Sequence, residues 1–181
     1  MTRVLLGLSA AIDAVIAALG EVLIRAIPVV VALGAAVVLM RYAFSFGLPW
    51  LSESFVWLNG IIFMLGAPYL LQKDAHVRVD VIYGQLPLRV RAGIDLAGVT
   101  LVLWPSCYAL GMVIWPSVQR SLRILESSPT MDGLPFLYVL KLCVPLFFAL
   151  LSLQGLSLAA RSVVVLSGGQ VPAVGKAHGH D

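Results

Sequence analysis

Few side chains in this chain of 181 residues are able to do chemistry, because only 12% of them are charged. Those that matter stand in or beside long apolar runs. Glu21 and Arg25 are one helical turn apart, Glu53 precedes a second apolar run, Asp95 opens a third and Lys141 precedes a fourth. In a bilayer, such groups carry ions or protons when they lie deep, face a cavity and are paired. Each falls within about two turns of the end of a predicted span, where snorkelling and interfacial water tolerate charge. They therefore read first as boundary charges that set depth and topology.

Glu53 follows Trp50 by three residues at the start of a helix, where the macrodipole favours a carboxylate. A pairing of Glu53 with Arg41 would clip the first two spans together. Past the second run, His76, Arg78 and Asp80 alternate as polar positions. They form either a headgroup-binding loop or a docking surface for a partner's cytoplasmic face. Axial haem ligation needs histidines projecting into a bundle. The three present, His76, His178 and His180, stand in a loop and in the tail, so neither haem nor any other cofactor is expected. The tail pair suits at most weak metal binding. Cys107 and Cys143 lie in apolar runs without CxxC or Cys/His spacing and read as small packing residues.

The elements that must position these groups are membrane helices. Hydrophobic residues make up 60% of the chain, and its charges collect at the ends of apolar stretches, as a hydrocarbon slab about 30 Å thick requires. Nothing resembles a nucleic-acid-binding basic patch. The clearest crossing runs from Arg41 to Asp80. Two polar clusters, RYAFSFGLPWLSE and KDAHVRVD, bracket uncharged residues 54–72. The fold class is all-α and polytopic, with four transmembrane helices at about 22–40, 54–72, 92–115 and 142–160. Residues 1–166 form a single domain, followed by a Gly-rich tail, 167–181, whose composition predicts disorder.

The first crossing is awkward, since Arg25 and Arg41 are separated by only about 22 Å of helix. Asp13 interrupts an otherwise signal-like N-terminus, and the hydrophobicity then runs on to Met40, so the segment is expected to be retained. Apolar spacing from Val4 to Leu19 predicts an amphipathic lead-in helix at the interface, or one long tilted first helix. Val79, Val81, Ile82 and Leu86 suit a short interfacial helix between spans two and three. With both termini on one side, Arg3, Lys73, Arg78, Arg89, Arg91, Arg161 and Lys176 oppose Arg41, Arg120, Arg123 and Lys141. The positive-inside rule then places both termini in the cytoplasm.

The ordered features Arg41-Tyr42-x-Phe44, Pro49-Trp50-x-x-Glu53, Gly66-Ala67 and His76-x-Arg78-Val79-Asp80 resemble the small membrane subunit, the Q component, of tripartite ATP-independent periplasmic (TRAP) transporters. The resemblance implies a non-catalytic scaffold in the bacterial inner membrane. Its partners would be the lipid bilayer, a large membrane subunit (the M component) that carries a small organic anion on a sodium gradient, and a periplasmic substrate-binding protein. Sodium would bind in the large subunit. The segment from Arg41 to Trp50 and the loop from Ser127 to Gly133 would face the periplasm and are candidates for touching the binding protein. Interface or headgroup candidates are Arg41, Tyr42, Trp50, Glu53, His76, Arg78 and Asp80, and small residues such as Gly34, Ala35, Ala36, Gly60 and Ala67 suit close helix approach. The connection SSPTMDGLP, with Lys141 beyond it, departs from the shared pattern. Two rivals remain: a self-sufficient oligomeric transporter or channel using Glu21 or Asp95, and a haem or quinone redox anchor.

Overall fold

The computed structural model describes residues 2–73 and 86–168. Four continuous helices account for nearly all of them: α1 (Thr2–Tyr42), α2 (Pro49–Gln72), α3 (Leu88–Ile124) and α4 (Leu137–Leu166). Each is long and apolar enough to cross a membrane. The expected interfacial helix, the His76, Arg78 and Asp80 cluster and the tail with its two histidines lie outside the described residues.

The predicted lead-in is helical and continuous with the first span. At 1.5 Å per residue, α1 is about 60 Å long, roughly twice the hydrocarbon thickness. Its buried positions, Ser9, Ile12, Ile16, Gly20, Leu23 and Val30, recur at spacings of three, four or seven residues and make one seam. That spacing is the one at which neighbouring helices interdigitate with a shallow crossing. Along this seam α1 runs antiparallel to α2, with Gly20 against Tyr69 and Gly34 against Phe55. Gly34, expected to meet a partner, is thus used within the chain.

α4 is the hub. Its second half buries Gly155, Ser157, Ala159, Ala160 and Ser162, small residues that let backbones approach on several sides. α1, α2 and α4 pack mutually, whereas α3 packs substantially on α4 alone. The α3–α4 contact is built around Gly155, whose hydrogen atoms face Leu103 and Trp104. The Trp104 indole N–H donates to the Ser152 carbonyl at 3.2 Å. Immediately before, residues Gly98–Leu103 widen into π-helical turns. Pro105 supplies the reason, because it has no N–H to give the preceding turn and its ring crowds that turn's carbonyl.

The closest approach is at Gly20, where an added Cβ would fall 2.3 Å from the Tyr69 ring. The Lys73 ammonium also lies over that ring, 5.5 Å from the centroid. Gly20→Ala is expected to destabilise the chain by about 1–3 kcal/mol through overpacking. The readout is the thermal unfolding midpoint in detergent, with partial recovery when Tyr69→Leu is added. Gly60→Ala is the matched control, since nothing lies within 4 Å of its added methyl.

Candidate functional site

Two polar centres hold the helices together, one at each end of the bundle. At the end nearer the chain termini, Asp13 of α1 enters the seam between α2 and α4. Its Oδ1 accepts from Ser157 Oγ at 2.8 Å, Gln154 Nε2 at 3.1 Å and the Arg161 guanidinium at 3.4 Å. Gln72 of α2 donates to the Asp13 backbone carbonyl at 2.6 Å. Gln154 and Ser157 are wholly buried, and the Asp13 and Arg161 side chains are 14% and 15% exposed. Asp13 therefore does more than interrupt an apolar stretch: it accepts from both α2 and α4 and so joins three helices.

At the opposite end Glu53 fastens a loop. The Ser128 hydroxyl donates to Glu53 Oε1, and the Leu134 backbone N–H donates to Oε2 at 2.7 Å. The loop closes on itself through Ser128 N–H to the Leu134 carbonyl, 3.0 Å, and Gly133 N–H to the Thr130 carbonyl, 3.0 Å. Gly133 is required here, because a Cβ would stand 2.8 Å from both Glu53 oxygens and 2.7 Å from Ser128 Oγ. Asp132 adopts a left-handed conformation, φ 61°, which aspartate tolerates better than most side chains. The expected Glu53–Arg41 clip does not form. Geometry instead gives Glu53 to the connection between α3 and α4, while Arg41 lines the same shallow pocket of about 420 Å³ with Ser52, Trp57 and Thr130. Tyr42 and Trp50 are exposed nearby.

The same connection is tied a second time, by Lys141 Nζ to Glu126 Oε2 at 2.5 Å. That hydrogen bond holds the Glu126 carboxyl below its ordinary range. A depressed folded value means the tie contributes above the unfolded carboxylate pKa and is lost as pH falls through the folded one. Acidification should therefore raise protease cleavage between Leu125 and Phe136, and Glu126→Gln should flatten the part of that pH dependence that this tie supplies.

Lys141 and Arg161 are separated along α4 by about 30 Å of helix, the hydrocarbon thickness. Glu21 and Arg25 lie roughly 12 and 18 Å along α1 from Asp13. Their side chains form an i,i+4 pair at 3.9 Å and are 59% and 79% exposed. Asp95 lies in the first part of α3, before the π-helical turns.

A second depression, an open apolar groove of about 760 Å³ between α3 and α4, is lined by Trp104, Tyr108, Trp115, Pro145 and Phe148 among others. It contains no ionisable group apart from the Tyr108 hydroxyl and the Cys107 thiol. Among the described residues no cluster of His, Cys, Asp and Glu is arranged to hold a metal ion.

The polar stripe Gln154, Ser157 and Arg161 was legible as one face of an otherwise apolar helix, at spacings of three and four. Its partner was not, because Asp13 is more than a hundred residues away in sequence. No curated protein and no solved structure matches the chain. The family model of the DctQ component of tripartite ATP-independent periplasmic transporters matches residues 30–164, from the last third of α1 to nearly the end of α4. On that match the chain belongs to the DctQ family and is a small membrane component of a TRAP transporter.

Proposed function

We propose that the chain is a non-catalytic scaffold that anchors the large membrane subunit while that subunit takes up a small organic anion delivered by a periplasmic binding protein. The observation that carries this reading is the use made of its carboxylates. The Asp13 carboxylate ties α1 to α4, Glu53 ties the α3–α4 connection to α2, and Glu126 ties the same connection to α4. These are fastening roles. Carriers instead place coupling ions at broken helices around a midplane cavity. Here, among the described residues, four continuous helices are long and apolar enough to cross, and the groove between α3 and α4 is apolar.

In this reading the Glu53 end faces the periplasm of a bacterial inner membrane, and both termini are cytoplasmic, as the balance of basic residues favours. The loop from Ser127 to Gly133 and the pocket beside Arg41 then stand where a binding protein would arrive, and sodium belongs to the large subunit. Proteoliposomes test the proposal. The chain alone should give no uptake of any organic anion, and the chain with its large subunit and binding protein should give uptake that collapses with the sodium gradient. Uptake by the chain alone, lost in Glu21→Gln or Asp95→Asn, would establish the self-sufficient transporter instead.

A further inference from the structure

Asp13 gathers more polar groups than it satisfies. Four buried side-chain polar atoms have no hydrogen-bond partner among the described residues, and three of them belong to this centre: Gln72 Oε1 of α2, and Gln154 Oε1 and Arg161 Nε of α4. Gln154 is wholly buried and Gln72 is 9% exposed. A buried amide oxygen or guanidinium N–H without a partner carries the full cost of its lost hydration. Three at one joint point to a ligand.

Turning the amides over does not remove these orphans. Gln72 Nε2 donates to the Asp13 carbonyl at 2.6 Å, and Gln154 Nε2 donates to Asp13 Oδ1 at 3.1 Å. Exchanging N and O would set oxygen against oxygen in both places. The two atoms of an amide are about 2 Å apart, so each free oxygen stands within about 5 Å of the Asp13 oxygen that its nitrogen bonds. Arg161 comes to the same residue. Its Nη2 is 3.4 Å from Asp13 Oδ1 and 3.3 Å from Ser157 Oγ, while the neighbouring Nε–H has no acceptor.

The groups on offer, two acceptors and one donor, select the ligand. Water complements them, because it donates two hydrogen bonds, accepts others and typically makes about three when buried. A sodium or potassium ion would suit the two amide oxygens and the carboxylate. It accepts nothing from Arg161, however, and is repelled by that charge. A small anion would take the Arg161 N–H but meet two amide oxygens and the Asp13 carboxylate.

We propose that the Asp13 centre is a binding site for one water molecule, which donates to Gln72 Oε1 and Gln154 Oε1 and accepts from Arg161 Nε. The water links α2 to α4 directly, where these side chains otherwise meet through Asp13. Arg161, 15% exposed, gives the site an edge through which the water exchanges with solvent.

The test is a density map of the full chain, crystallised from lipid or held in its transporter complex, at a resolution that shows ordered water. It is recorded in sodium buffer and again with sodium and potassium replaced by choline. Both maps should show a peak about 2.6–3.2 Å from Gln72 Oε1, Gln154 Oε1 and Arg161 Nε. In Gln72→Met, which removes one of the two acceptors, the peak should be lost while Gln154 and Arg161 stay on Asp13. No peak in the wild-type chain, or an undiminished peak in Gln72→Met, would overturn the site. A peak that disappears in choline would overturn water in favour of a cation. The unfolding midpoint in detergent gives an independent readout, and it should not move when choline replaces sodium at constant ionic strength. A midpoint raised by sodium in the wild-type chain but not in Gln154→Met would likewise overturn the proposal.

Discussion

Asp13→Ala is expected to destabilise the helix assembly by about 3–5 kcal/mol, the range seen when one member of a buried ion pair is removed and the other is left uncompensated. Three groups on α4 lose their shared acceptor, and Arg161, only 15% exposed, loses its counter-charge. Yield in the membrane and the unfolding midpoint in detergent should both fall. Asp13→Asn should fall less, because it keeps an oxygen in place for Gln154 and Ser157. The double replacement Asp13→Leu with Arg161→Leu should recover much of the loss, since a buried pair exchanged for apolar residues is often near neutral. A double variant as unstable as Asp13→Ala would show that packing, and not the uncompensated charge, sets the cost.

The second large effect is expected at the opposite end. Glu53→Ala removes the acceptor of both the Ser128 hydroxyl and the Leu134 N–H, and with them the link between α2 and the α3–α4 connection. The helices should persist, because their seams do not involve Glu53. The connection should open, and proteolysis at Met131, which is 90% exposed, should rise several-fold. Gly133→Val should do the same with Glu53 intact, since its side chain would occupy the space of the carboxylate. If the loop meets the binding protein, both variants should also depress uptake by the reconstituted transporter while leaving recovery with the large subunit unchanged. Unchanged proteolysis in both variants would mean that Lys141 and Glu126 alone hold the loop.

Particular residues show where sequence reasoning reaches its limit. The apolar runs and their charged ends were legible, because expulsion of charge from hydrocarbon acts on each segment independently. The Glu21–Arg25 pair was legible too, as an i,i+4 relation. The register of α1 against its neighbours was not, because it is set by Gly20 on Tyr69 and by Asp13 on α4, and neither contact has a local signature. Glu53 was expected to pair with Arg41, whereas it bonds Ser128 and Leu134. Arg41 is near it in sequence, whereas Ser128 and Leu134 reach it only after two more helices have crossed.

By itself, then, the sequence determined that this protein is helical and that four of its segments are long and apolar enough to cross a membrane. Those properties follow from hydrophobicity and helical period, which are local. Only the tertiary structure decided which polar residues fasten helices, which one fastens a loop, and which pair is left facing outward. Those outcomes depend on the register between helices. Register is fixed by a few close contacts, at Gly20, Gly155 and Asp13, between residues that no spacing rule connects.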